Sequence, residues 1–309
     1  MGYITHSYQN FKTGTLIPLK MEPRAQLMRP LNSAMGALAV FVGAMVAAGP
    51  SLASSGALAA VAVAAAVAFL YTAGGNALND YTDRFTDRVN HPRRPIPSRR
   101  ISAEEARKFS IALFAAGMMG ALFIGFPHPN TVCIMVAILN CLLLAGYEIK
   151  LKSWGFPGNL AVSWLTASLF LFGGAATQGS VPPTVFPVPV LALALLAFLS
   201  SVGREIIKGI EDVKGDRDRH TLPRLFGTRK SGYIAAVWIL LAVGFSGIPV
   251  FPLGMFGPLY YLPLVLAADG IFIYSVLVLF GNPKKASEAA KLAMLVALVA
   301  FLAGAMVPQ

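Results

Sequence analysis

Gly56–Asp87 reads GALAAVAVAAAVAFLYTAGGNALNDYTDRFTD, an apolar run that ends in three aspartates. The apolar part is long enough to cross the hydrocarbon core of a membrane, about 30 Å, as a helix. If the helix continues into the polar part, Asn79, Asp83 and Asp87 fall at i, i+4 and i+8. Asp80 lies beside them on the same stripe. The stretch therefore predicts a transmembrane helix that carries a row of carboxylates at one end.

The whole chain has the composition of a membrane protein. Of its 309 residues, 56% are hydrophobic and 13% are charged, which is about half the charged share of a soluble domain. Apolar runs of about 18 to 25 residues, each long enough to span a membrane, recur along the chain. We place nine of them at 33–50, 53–79, 104–126, 130–148, 158–178, 187–210, 230–250, 256–280 and 287–307. We expect one all-α domain over residues 1–309, with nine transmembrane helices around a central lipid-accessible cavity and cytoplasmic cap loops. Residues 1–31 would form a cytoplasmic tail or an interfacial segment.

The basic residues predict the orientation of these spans. All 25 Lys and Arg lie in or next to the N-terminal segment and the connections that follow spans two, four, six and eight. Because cytoplasmic connections carry the excess of positive charge, the N-terminus is expected in the cytoplasm and the C-terminus outside the cell membrane. The net charge of +11 then reflects topology and anionic lipid or substrate, and no nucleic-acid partner is expected.

A second acidic cluster, Glu211-Asp212-Val213-Lys214-Gly215-Asp216, follows span six on the same side. Asp212 and Asp216 again lie four residues apart. Carboxylates stacked on one helix face repel one another, and a divalent cation removes the conflict. Ligands that are all oxygens suit Mg²⁺. The alternative is that each cluster is only the solvated end of a long helix.

Each cluster leads into a basic loop. The first, Arg88–Arg100, contains three prolines, and its Arg94 is a candidate for a bidentate contact with phosphate oxygens. Basic residues also keep a connection on the cytoplasmic side of the membrane, and this would explain any single arginine of the loop equally well. Ser102 with Glu105 predicts a capping box that starts span three. The four histidines are all interpreted as surface residues.

Two motifs carry a family resemblance. Asn79-Asp80-x-x-Asp83-x-x-x-Asp87 followed by Arg94-Pro95-Ile96-Pro97, and then Asp212-x-x-x-Asp216, resemble the paired aspartate motifs of the UbiA superfamily of intramembrane prenyltransferases. Within it, the chain is most similar to the archaeal digeranylgeranylglyceryl phosphate synthases. The segments that resemble them are Arg29-Pro30-x-Asn32, Tyr147-x-x-x-Leu151-Lys152, Gly158-Asn159, Arg204-Glu205-Ile206-Ile207-Lys208 and Thr221-Leu222-Pro223. Arg93 and Arg99 make the first loop more basic than this pattern.

The resemblance implies a nine-helix fold and an Mg²⁺-dependent transfer that takes place among membrane lipids. A geranylgeranyl group would pass from geranylgeranyl diphosphate to the hydroxyl of geranylgeranylglyceryl phosphate, which forms the second ether bond of archaeal lipids. The implied catalytic and metal-binding residues are Asp80, Asp83, Asp87, Asp212 and Asp216, with Asn79 as a further metal ligand. The implied substrate-binding residues are Arg29, Asn32, Asn76, Arg94, Lys150, Lys152 and Lys208. The three lysines are the cations expected to hold the acceptor's phosphate.

Two alternatives remain open from the sequence. The acceptor could be an aromatic ring, as in the members of the superfamily that make quinones. A secondary transporter is the alternative of another class, although transporter sites lie near the bilayer midplane and both clusters here lie at one interface. Asp269, near the middle of span eight, is expected to be paired, protonated or turned to the cavity, because a charge at that depth is costly.

Overall fold

The computed structural model describes residues 21–53, 56–178, 186–213 and 220–306. Within these ranges the regular elements are all helical, as expected. In chain order the α-helices are α1 (Pro23–Met28), α2 (Pro30–Ala48), α3 (Leu58–Thr82), α4 (Asp87–Asn90), α5 (Ala103–Leu122), α6 (Thr131–Ile149), α7 (Phe156–Ala176), α8 (Val188–Glu211), α9 (Leu222–Phe226), α10 (Thr228–Phe245), α11 (Pro258–Leu279) and α12 (Pro283–Met306). Two short 3-10 helices, Gly49–Ala53 and Leu151–Trp154, complete the set.

Nine helices in the described ranges have 18 residues or more, and each end lies within five residues of a predicted apolar run. Seven of them are long and apolar enough to cross a membrane, so the chain is a multi-pass membrane protein. The other two, α5 and α10, begin with charged residues that lower their mean hydropathy. For α5 and α10 the membrane-spanning role stays a prediction, and so does the count of nine spans.

Helices α2 and α7 approach each other closely enough for backbone contact. A Cβ atom at Gly43 would overlap the carbonyl of Phe170, and one at Gly173 would overlap the carbonyl of Val40. Small residues allow this approach between membrane helices, where van der Waals packing drives association. The close pair fixes α2, whose N-cap residue is Arg29.

Helix α8 is the most buried of these seven helices, with 67% of its most apolar segment inside the protein. It packs against α7, α10 and α12. Large apolar side chains on the outer helices point away from the protein, as at Leu142 on α6 and Leu266 on α11. An apolar outer surface suits a protein whose solvent is lipid.

The loop between α3 and α5 folds over the ends of the helices. Its backbone turns back on itself, since the amide of Arg100 donates to the carbonyl of Pro95 at 2.9 Å. The predicted capping box then starts α5. Ser102 Oγ accepts from the amide of Glu105 at 3.1 Å, and the Glu105 carboxylate accepts from the amide of Ser102 at 3.0 Å.

Candidate active site

The aspartates of the first cluster stay on one side, although the helix that carries them ends early. Helix α3 ends at Thr82, and Asp87 begins the short helix α4. The helix therefore does not continue unbroken through Asp87. The intervening backbone keeps nearly helical spacing, because the amide of Asp83 donates to Asn79 and that of Asp87 donates to Asp83, both at 2.8 Å. Asp80, Asp83 and Asp87 are all buried, with 2, 8 and 3% of their surface exposed.

Arg29 joins this cluster from the junction of α1 and α2. Its Nη2 lies 2.5 Å from Asp80 Oδ1 and donates to Asn79 Oδ1 at 3.2 Å. Its backbone has φ of 47°, in the left-handed region, which costs energy in a residue that is not glycine. The side chain of Asn76 accepts from Arg29 at 3.5 Å and donates to the carbonyl of Met28 at 3.1 Å. The structure therefore brings the predicted Arg29 and Asn76 together with the carboxylates.

Arg94 contacts a carboxylate of the first cluster through a single guanidinium nitrogen. Its Nη1 donates to the two oxygens of Asp87 at 2.8 and 2.7 Å and lies 3.4 Å from Asp80 Oδ1. The guanidinium is thus held between two buried aspartates. The loop arginine is thus part of the site.

Lys152 lies between two carboxylates. Its Nζ is 2.6 Å from Asp83 Oδ1 and 2.6 Å from Glu148 Oε2, and it donates to Thr82 Oγ1 at 2.5 Å. Two carboxylates already neutralise Lys152, which does not favour the expectation that it is spare for the acceptor's phosphate, and that role stays a prediction. Glu148 was not among the predicted site residues, because its only signal in the sequence is an acidic residue at the end of an apolar run.

Lys150 lies outside the site. It is exposed, and its Nζ rests 5.4 Å from the centre of the Trp154 ring. Lys150 is the C-cap residue at which α6 gives way to the 3-10 helix, and this placement does not favour its predicted role, which stays a prediction. Because the chain changes direction there, the side chains of Lys150 and Lys152 point in different directions.

The second cluster is tied to the first through the loop. Asp212 is the C-cap residue of α8, and its Oδ1 lies 3.2 Å from His91 Nε2. The side chain of Asn90 donates to the backbone carbonyl of Asp212 at 3.1 Å. Burial opposes ionisation of Asp212, but His91 and the charge of Lys208 outweigh it and hold its pKa below the ordinary value. The interpretation of His91 as a surface residue is wrong, while Asp216 lies outside the described residues.

A cavity of about 370 Å³ lies within the bundle and reaches the first cluster at Asn79. Its polar end is lined by Arg29, Asn32, Asn76, Asn79, Glu148, Arg204, Glu205, Lys208 and Lys291. Its other walls are mainly apolar, and three buried aromatic rings pack together there. Phe170 meets Phe301 edge-on at 6.0 Å, and Tyr261 stacks on Phe301 at 6.2 Å. The shape suits a molecule with a charged head and a long apolar tail.

Asp269 also lines the cavity, which is one of the three situations expected for it from the sequence. Its carboxylate accepts a hydrogen bond from Ser246 Oγ at 2.7 Å. It is separate from the two acidic clusters.

The oxygens of the two clusters have the chemistry of a magnesium site. They are carboxylate and amide oxygens, the ligands that Mg²⁺ prefers. Across the described part of the chain, no three acidic, histidine or cysteine side chains converge on one point. The aspartates of the first cluster instead form ion pairs with Arg29, Arg94 and Lys152. The donor set fits the ion, and binding would require the carboxylates to exchange these cations for it.

Comparisons with known proteins agree with this picture. Residues 37–304 match the profile of the UbiA prenyltransferase family. The digeranylgeranylglyceryl phosphate synthase of Methanopyrus kandleri is 40% identical over 287 residues, covering 92% of this chain and 99% of that protein. The enzyme of the same name from Methanosarcina mazei is 42% identical over 243 residues, covering 77% and 80%.

Two solved structures share the fold. A digeranylgeranylglyceryl phosphate synthase structure has a TM-score of 0.66 and 34% identity, covering 92% of this chain and 98% of that one. A UbiA homologue from Archaeoglobus fulgidus, bound to GPP and Mg²⁺, has a TM-score of 0.63 and 17% identity, covering 92% and 99%. The nine long helices of the described ranges therefore have a known architecture.

Proposed function

The chain belongs to the UbiA prenyltransferase family, and we propose that it transfers a geranylgeranyl group from geranylgeranyl diphosphate to geranylgeranylglyceryl phosphate. The observation that carries the proposal is the cavity, which joins a cluster of carboxylates and cations to an apolar chamber in a chain 36 to 42% identical to digeranylgeranylglyceryl phosphate synthases. The product is a lipid with a second ether bond, made in the membrane. The family match leaves no support for a transporter, and the relatives' names do not favour an aromatic acceptor.

The site residues have distinct roles in this reaction. The donor's diphosphate would lie at the polar end of the cavity, where Arg94 and Arg29 can contact its oxygens. The isoprenoid tail would lie along the apolar walls. The bond between C1 and the diphosphate breaks with its electron pair on the leaving group, and the acceptor hydroxyl forms the new C–O bond as it loses its proton. The loop over the helix ends keeps water from the allylic cation.

We propose that Mg²⁺ is held by Asp80, Asp83 and Asp87 of the first cluster and by Asp212 and Asp216 of the second, with Asn79. The bound ion would neutralise the leaving diphosphate as a Lewis acid. Support comes from the all-oxygen donor set and, at the level of the fold, from the homologue bound to GPP and Mg²⁺. His91 and Asn90 would keep the two clusters at a fixed separation.

We also propose that both clusters face the cytoplasm, with the N-terminus on that side. The support is the distribution of all 25 Lys and Arg. Soluble diphosphate released by the reaction would then return to the cytoplasm.

The test is incubation of the purified protein with geranylgeranyl diphosphate, Mg²⁺ and a panel of acceptors, with products identified by mass. We expect an ether product from geranylgeranylglyceryl phosphate. Prenylation of a hydroxybenzoate or naphthoate, with no product from the glyceryl phosphate, would overturn the proposal in favour of an aromatic acceptor. Asp83→Ala, which removes a cluster carboxylate, is the inactive control.

A further inference from the structure

Four basic side chains share the polar end of the cavity, and they differ in whether a carboxylate acts on them. The basic side chains that line it, among the residues described, are Arg29, Arg204, Lys208 and Lys291. Arg29 is paired with Asp80, and Arg204 Nη1 lies 2.7 Å from Glu205 Oε1. The positive charge of Lys208 interacts with the carboxylate of Asp212. Three of the four cations therefore have a carboxylate that acts on them.

Lys291 differs from the other three. It is half-buried two turns into α12, and none of the described acidic side chains forms an ion pair with it. The charges that act on it most strongly are those of Arg204 and Arg29, which are also positive. Like charges held together at a partly buried site are unfavourable. An anion that binds among Lys291, Arg204 and Arg29 would remove this conflict.

We propose that Lys291, together with Arg204 and Arg29, binds the phosphate of the acceptor lipid. The inference rests on the proposed function and names the anion site that this function needs. It is an alternative to the sequence expectation for Lys150 and Lys152, neither of which lines the cavity.

The chemistry of the acceptor requires such a site beside the donor's diphosphate. Glycerol has three carbons, so the reacting hydroxyl and the phosphate are separated by at most that short backbone. When the hydroxyl reaches the donor's C1, the acceptor's phosphate must lie close to the diphosphate. Two anions at this distance repel unless a cation lies between them. Arg29 suits this position, because it pairs with Asp80 of the first cluster and lines the same cavity as Arg204 and Lys291.

The first experiment measures steady-state kinetics of the purified full chain in detergent with Mg²⁺, both substrates and the variant Lys291→Gln. Loss of one charge-assisted contact should raise the KM for geranylgeranylglyceryl phosphate by about 10- to 100-fold. The KM for geranylgeranyl diphosphate should stay within about threefold of the wild type. Lys291→Arg keeps the charge and should restore most of the acceptor affinity. The matched control is Lys284→Gln, which removes the same charge from an exposed position on the same helix.

The second experiment separates phosphate binding from a structural role. Unphosphorylated geranylgeranylglycerol has the same hydroxyl and tail but no phosphate. For each protein we take the ratio of kcat/KM for the phosphorylated acceptor to kcat/KM for the unphosphorylated one. This ratio should be at least about tenfold lower in Lys291→Gln than in the wild type. An equal loss with both acceptors, or an unchanged acceptor KM, would overturn the phosphate site while leaving the proposed function intact. A wild type that makes no ether from either glycerol acceptor would refute the proposed function and the site with it.

Discussion

Lys152 is predicted to stabilise the fold of this site by separating two buried carboxylates. Its own side chain is 9% exposed, and those of Asp83 and Glu148 are 11% and 5% exposed. The substitution Lys152→Met keeps the length of the side chain and removes its charge. Asp83 and Glu148 would then lose the cation that they share and keep the amide of Asn79, which donates to Asp83 at 3.0 Å and to Glu148 at 3.2 Å.

The size of the effect follows from the geometry. Both carboxylate oxygens lie 2.6 Å from Nζ, so they are no more than twice that distance apart. Two unit charges about 5 Å apart repel by roughly 3 kcal/mol at an effective dielectric constant of about 20. Removing one partner of a buried ion pair typically costs about 3 to 5 kcal/mol. We expect Lys152→Met to lower the melting temperature by at least about 6 °C, given about 2 °C per kcal/mol for a chain of this size.

The assay is thermal unfolding of purified protein in detergent, with Glu148→Gln measured alone and combined with Lys152→Met. In the wild type, Glu148→Gln removes a contact of Lys152 and should be neutral or destabilising. In Lys152→Met it removes a repelling charge and should be stabilising, so its sign should reverse. Lys150→Met is the matched control and should change little. A Lys152→Met protein that melts within about 2 °C of the wild type, or a Glu148→Gln effect of one sign in both backgrounds, would refute the reasoning.

Three further predictions concern the metal, the orientation and the donor. Excess EDTA should abolish turnover, and added Mg²⁺ should restore it. The variants Asp83→Ala and Asp212→Ala should be folded but inactive. Full activity with EDTA, or in either variant, would contradict a metal held by both clusters. Single cysteines in 93–99 and in 179–184 should be labelled from opposite faces of the membrane, and labelling from the same face would exclude nine spans. Tyr261→Ala should open the apolar end of the cavity and let the enzyme use a longer isoprenoid diphosphate than the wild type does, as judged by competition between donors. An unchanged donor preference would show that Tyr261 does not limit the tail.

Much of this protein could be predicted from its sequence because the governing signals are local. An apolar run long enough to span lipid must be helical, since no water is present to bind an open backbone. The capping box at Ser102 and Glu105 needs only residues three apart, and it is present as predicted. The aspartate spacing around Asp83 likewise lies within two helical turns. The fold class, the helix limits and the acidic clusters were therefore accessible without a structure.

The partners of those aspartates were decided only by the tertiary structure. Lys152 meets Asp83 across 69 residues of sequence, and Asn90 meets Asp212 across 122. No periodic pattern links positions so far apart, because the contact depends on how helices pack and where loops turn. Neighbours in sequence can be separated for the same reason: Lys150 points to solvent, two residues from the buried Lys152. The sequence determined which charged groups the site could use, and helix packing determined which of them meet at the mouth of the cavity.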